Sequence, residues 1–155
     1  MQVKLRSIAI PAFFSTVSAS LAFLFAQDTQ LHVAAGQREI LLQTTQSWLG
    51  KLYDHYPSGQ PQLTTIRLTL PPHTALPWHY HPYPNSVYVL SGTLNLRDRA
   101  TGKTLLLHAG QATGEAVGDV HRGESGDVPT VLIITYAGVT GTPTSIPAKG
   151  EQQEY

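Results

Sequence analysis

Cysteine is absent from the 155 residues. That excludes a stapling disulfide, a thiolate metal site, a cysteine nucleophile and a cysteine-linked lipid. Charge is scarce as well: Asp, Glu, Lys and Arg make up 13% of the chain and sum to zero. With no basic stripe to neutralise phosphates, nucleic acid is excluded as a partner class. Helical periodicity is hard to find after residue 30, and no long-period repeat recurs. Nor does a Ser-His-Asp order, a phosphate-binding glycine loop or a paired-carboxylate spacing stand out.

One long uncharged run is present, at the start. Lys4 and Arg6 precede residues 7–27, which carry no charge and include Ile8, Ile10, Phe13, Phe14, Leu21, Phe23, Leu24 and Phe25. A basic start, an apolar stretch and a small residue near its end (Ala26) mark a secretory signal peptide, and the run is also long enough for an uncleaved membrane anchor. Residues 1–27 are therefore expected to be a signal peptide or anchor. The rest of the chain, 28–155, is then periplasmic or secreted, or held at a membrane outside the cytoplasm. It has enough residues for one core but not two, and without disulfides its stability rests on that core.

Thirteen glycines and eleven prolines suit short strands joined by tight turns. Within Leu63–Leu70, Ile66, Leu68 and Leu70 alternate with Thr65, Arg67 and Thr69, the period of a half-buried strand, and Pro71–Pro72 ends it. Further strands are expected at Trp78–His81, Ser86–Leu90, Thr93–Arg97 and Lys103–Leu107, with a weaker one between Gly110 and Gly118. Thr130–Tyr136 (TVLIITY) reads as a buried strand. Residues 38–50 are expected to hold a first strand at Ile40–Leu42 and then a loop. After Gly138 the Gly-, Thr- and Pro-rich tail is expected to be irregular and partly mobile. Several short strands without intervening helices make the chain all-β, a sandwich or barrel, with the jelly roll as the version that encloses a small interior. The core is expected over about 38–138.

Seven histidines occur, and His32, His55, His73 and His108 read as surface or packing residues. His79 and His81 differ by their spacing. Two apart on a strand, their side chains share a face, as two imidazole donors to one divalent metal must. Pro82-Tyr83-Pro84 then reverses the chain, and Asn85 sits where the returning strand can face the same centre. Trp78, Tyr80 and Tyr88 fall on the opposite face and read as packing residues. Asp98, Asp119 and Asp127 sit in turn-like contexts, where Asp is expected.

The stretch from His79 to Gly92 resembles the first motif of the cupin family: HxH, three residues, an acid, six residues, glycine. The second motif, G-x5-P-x-G-x2-H-x3-N, is matched in frame by Gly110, Ala116, Gly118, His121 and Ser125. The resemblance covers roughly residues 63–137. It implies a single antiparallel cupin β-barrel (jelly roll) binding one divalent metal, Fe, Mn, Zn, Ni or Cu, through His79, His81 and His121. Three departures stand out. The family's usual glutamate is Asn85 here, and the usual Pro and Asn are Ala116 and Ser125. Glu115 has small neighbours, Gly114 and Ala116; its carboxylate either enters the barrel as a substitute ligand or faces solvent. Arg122 and Glu124 fall on the side of their strand opposite His121. The resemblance further implies a small-molecule ligand, enzyme chemistry of the dioxygenase, isomerase or decarboxylase kind, and a homodimer. The alternative is a binding module without turnover, and the loss of the usual glutamate leans toward it.

Overall fold

Alternating side chains build nearly all of the regular structure in residues 36–155, the part of the chain that the structure, a computed structural model, describes. The expected signal peptide or anchor and His32 lie outside these residues. Nine strands follow in order: β1 (Pro61–Leu70), β2 (His79–Tyr80), β3 (Asn85–Ser91), β4 (Thr93–Asp98), β5 (Thr104–His108), β6 (Ala112–Gly114), β7 (His121–Ser125), β8 (Thr130–Val139) and β9 (Ile146–Pro147). They form two antiparallel sheets, β1-β8-β3-β6 and β5-β4-β7-β2-β9. No helix occurs among the described residues. The described part of the chain is thus all-β, two sheets of a jelly-roll barrel facing one another across a shared interior.

The strand TVLIITY is the spine of the first sheet. β8 alternates strictly, burying Thr130, Leu132, Ile134, Tyr136 and Gly138, and it pairs with β1 on one side and β3 on the other. Inward residues of β3 (Val87, Val89) and β4 (Leu94, Leu96) meet Leu132, Ile134, Leu70, Leu76 and Leu107 in one core. Full burial of each such side chain contributes about 1.5–3 kcal/mol before entropy is counted.

The first-motif glycine, Gly92, turns the chain from one sheet to the other. Its φ is +80°, and a Cβ there would lie 2.7 Å from the Pro129 carbonyl oxygen and 2.8 Å from Thr130 Cα. Only glycine meets both the left-handed backbone and the close approach. The buried Thr130 hydroxyl seals this corner, donating to Thr93 O (2.8 Å) and accepting from Thr93 N–H (3.3 Å).

Two sequence expectations are corrected. No strand forms at Ile40–Leu42: Ile40 and Leu41 are more than half exposed, because no neighbouring strand offers them a ladder or a core. The segment is instead tied down by a Gln46–Leu52 bridge and by Trp48, which packs against the core. The C-terminal tail is irregular as expected, but it is docked. β9 pairs with β2, and Ala148 N–H donates to Trp78 O (2.8 Å).

Candidate metal centre

Register brings the three motif histidines together. His79 and His81 are two apart, and His79 pairs directly with His121 across β2 and β7. Gly118 N–H donates to His81 O (3.0 Å), so the second-motif glycine pins the first-motif histidine. All three side chains point inward, at 2%, 1% and 0% exposure. Their ring centroids lie 4.8–5.1 Å apart, and one nitrogen from each falls within 4.8 Å of the others.

Each ring is held through its other nitrogen. Nδ1 of His79 lies 2.9 Å from Pro77 O, that of His81 2.8 Å from Thr144 O, and that of His121 2.9 Å from Asp119 O. A carbonyl oxygen only accepts, so each Nδ1 carries a proton and, in the neutral ring, each Nε2 presents a lone pair to the interior. Backbone carbonyls that fix tautomer and ring orientation are the usual support of metal-ligating histidines.

Carboxylates complete the cluster. Glu115 follows directly on β6, and the strand alternation ends before it. Its N–H donates to Asn85 O (3.2 Å), and the Tyr53 hydroxyl donates to its carbonyl (2.8 Å). The side chain turns inward, with Oε2 3.1 Å from His81 Nε2 and Oε1 3.9 Å from His121 Nε2. A second carboxylate comes from the tail: Glu154 Oε2 lies 3.4 Å from His79 Nε2, both side chains 3% exposed. Asn85 is buried as well, at the inward end of β3 opposite Tyr136.

The ionic states follow from this crowding. Burial, then the neighbouring His81 and His121, pushes His79 down to about 3. Burial also lowers His121, with His81 adding to the effect. Burial opposes a charge on His81, but Glu115 more than offsets it and raises that imidazole above its ordinary 6.5. Burial likewise opposes ionisation of Glu115, yet His81 outweighs it and holds the carboxyl at about 2. Burial, with Glu115 adding to it, pushes Glu154 up to about 7 against the lowering influence of Ser145 and His81.

These residues fit a divalent metal. The Nε2 atoms of His81 and His121, Oε2 of Glu115 and Glu154, and both polar side-chain atoms of Asn85 are buried without a well-directed hydrogen bond. Unpaired lone pairs facing one another in a dry interior repel unless a cation lies between them. Imidazole nitrogens bind zinc-like ions at about 2.0–2.1 Å, so donors at these separations close on one ion by sub-ångström shifts. A three-imidazole, carboxylate-rich set without sulfur suits Fe, Mn, Zn, Ni or Cu and does not choose among them.

The structure thus brings together His79, His81, His121 and Glu115, all named by the sequence, and places Asn85 inward in the same barrel. Sequence reading missed Glu154 and the Thr144 carbonyl, since nothing local in the tail signals a return to the barrel. On the outer face Arg122 stacks over Trp78, 4.5 Å from the ring centroid, and pairs with Glu124 (2.7 Å). Two surface clefts, of about 280 and 640 Å³, share Tyr53, Asp54, His55 and Pro84, and none of the three histidines lines either.

Residues 66–136 match the cupin domain family. No curated protein matches the chain by sequence. Similar solved structures include DMSP lyase DddQ from Ruegeria pomeroyi, at 19% identity over 59% of this chain and 45% of that one, with a TM-score of 0.51. A structure described under the DMSP lyases RdDddP and RnDddQII is 18% identical over 56% of this chain and 44% of its own, with a TM-score of 0.50. The chain therefore spans less than half the length of either. A cupin-like protein from Thermotoga maritima is 15% identical over 56% of this chain and 64% of that one, with a TM-score of 0.48.

Proposed function

Starting from residues 66–136 as a cupin domain, we propose that the chain is an exported, metal-dependent cupin acting on a small organic molecule, with chemistry of the dioxygenase, isomerase or decarboxylase kind. The observation that carries the reading is the convergence of three buried Nε2 lone pairs, each fixed by a carbonyl behind the ring. His79, His81 and His121 hold the ion, and Glu115 is the favoured carboxylate ligand because its oxygens approach two of the three nitrogens. Asn85 supplies a neutral amide to the same interior. A divalent ion there would provide Lewis acidity, or redox chemistry if it is iron, manganese or copper.

The protein's own groups then do three things. The imidazoles, neutral as ligands, leave most of the ion's charge to attract an anionic oxygen of the substrate. Glu115 balances part of that charge. The near-complete burial of the three histidines keeps water scarce around them, which strengthens every electrostatic interaction inside. Export is supported by the basic start and apolar run at residues 4–27, with residues 28–155 as the exported part. Pairing into a homodimer is supported by the outer face of the first sheet, where Leu63 and Leu90 are exposed.

The test is the metal content of the full chain recovered from an exporting host, beside His121→Ala. About one ion per chain, lost in the variant, is expected, and the element found separates redox from Lewis-acid chemistry. No metal in either protein, even after reconstitution with Fe, Mn, Zn, Ni and Cu, overturns the reading. A second reading, a binding module without turnover, is favoured by the near-complete burial of the three histidines. Stoichiometric metal with no turnover across small phenols and 1,3-dicarbonyls would favour it.

A further inference from the structure

The C-terminal tail does more than cover the barrel. β9 extends the sheet that carries His79 and His121, and the Thr144 carbonyl just before it orients His81. Ala148 is buttoned to Trp78, and the last residue, Tyr155, contacts the buried Tyr136 hydroxyl through its own hydroxyl. Between these fixed points Glu154 enters the interior, 3% exposed, with Oε2 3.4 Å from His79 Nε2 and no well-directed hydrogen bond to that oxygen. A glutamate in a polar tail has water freely available, so the burial of its Oε2 without a hydrogen bond needs a reason.

We propose that Glu154 is a displaceable metal ligand: the tail closes the centre with its own carboxylate, and an incoming anionic substrate takes that carboxylate's place. This rests on the metal reading above. Glu115 approaches His81 and His121, whereas Glu154 approaches His79, so the two carboxylates flank different parts of the triad. Charge supports the pairing. Three neutral imidazoles, two carboxylates and a divalent ion sum to zero, the least costly state for a buried cluster. Removing Glu154 leaves one net positive charge, which a carboxylate, enolate or phenolate of single charge cancels. Access supports it as well. Neither surface cleft is lined by the histidines, although the larger reaches Asn85, and the tail lies against the His79 side, where β9 pairs with β2 and Glu154 approaches His79.

The experiment uses the full chain as wild type, Glu154→Gln, Tyr155→Phe and His121→Ala. Co(II) affinity is measured by titration at pH 7.5, and amide hydrogen exchange of residues 151–155 is followed with and without Co(II). Expected are a loss of affinity of at least about tenfold in E154Q and an altered Co(II) visible spectrum. Co(II) should also slow exchange in the tail of wild type and Y155F but not of E154Q. Millimolar acetate, the probe for an anionic ligand, should reverse that slowing in wild type. E154Q binding Co(II) as tightly as wild type with an identical spectrum overturns the proposal, as does tail protection that ignores Co(II) or acetate. H121A keeps the failures apart. If H121A loses Co(II) and E154Q does not, only the tail inference fails; if H121A binds like wild type, the metal reading fails first.

Discussion

The two ends of the barrel interior are made by the same strands and have opposite chemistry. Along β8 the inward residues run from Thr130 and Leu132 to Ile134 and then Tyr136; along β3, read the other way, from Val89 and Val87 to Asn85. On β4 and β7, Leu94 and Leu96 stand at the dry end, while Asp98 pairs in register with His121 at the other. One end is packed apolar side chains that need nothing beyond each other. The other gathers His79, His81, His121, Glu115, Glu154 and Asn85, whose polar atoms only partly satisfy one another. Stability belongs to the first end. The second is costly to fold unless a cation, as proposed above, neutralises it. A jelly roll can carry such a centre because one face of each strand does both tasks at different points along its length.

That contrast can be broken or sharpened by measurement. The largest expected effect is at the polar end: His121→Ala should weaken metal binding by about 1,000-fold or more, while the unfolding midpoint of the metal-free chain, followed by circular dichroism, drops little or rises. A large loss of metal-free stability would contradict the division between the ends. Next, Leu132→Ala at the dry end should cost about 3 kcal/mol in denaturant unfolding and leave the metal stoichiometry of the folded fraction unchanged. Gly92→Ala should cost about 2 kcal/mol, from the strained φ and the crowding against Pro129 and Thr130, with the same indifference to metal.

The smallest effect is in pH, where the metal-free chain holds opposing contributions and metal binding a single direction. His81 is raised above 6.5 by Glu115, so its folded-state charge stabilises the metal-free chain fully below that value. The contribution is lost as pH rises through the folded value. Glu154, pushed up to about 7, acts in the same direction: its contribution is complete below 4.5 and lost through about 7. Metal needs these same groups deprotonated, so its affinity should fall by about tenfold per pH unit as pH drops below the ordinary histidine range. In the metal-free chain His79, pushed down to about 3, and His121, also lowered, act the other way from His81 and Glu154, their contribution being lost as pH falls below 6.5. Metal-free melts at pH 8, 7 and 6 should therefore move little, while metal affinity in titrations at the same pH values falls. Equal metal affinity at pH 8 and 6 would count against histidine ligation.

The dry end was the legible one. Period-two patterns at Ile66-Leu68-Leu70 and Leu94-Leu96 became inward-facing strand residues, because alternation reports burial directly, and the continuous run TVLIITY became β8 with every second residue inward. The histidine spacing and the motif glycines were legible too, and Gly92, Gly110 and Gly118 all have positive φ. Glu115 was left open because alternation stops at Gly114, where β6 ends, and a residue past a strand end has no face that pattern can assign. Ile40–Leu42 misled because an apolar triplet specifies a strand only if a neighbour pairs with it. Glu154 was invisible for the converse reason: its position comes from contacts to residues more than 70 places earlier, in a tail with no period at all.

Trp78 gives the molecule an optical handle. It precedes His79, its carbonyl receives the tail through Ala148, and its ring lies under Arg122, the neighbour of His121. The chain has one other tryptophan, Trp48, which packs against the core from a different segment. Emission from a Trp48→Phe protein would then come from one indole next to His79, under the neighbour of His121 and bonded to the tail. Quenching by a paramagnetic ion and a colour shift on tail release would be separate signals in the same cuvette, readable on the millisecond scale without any label.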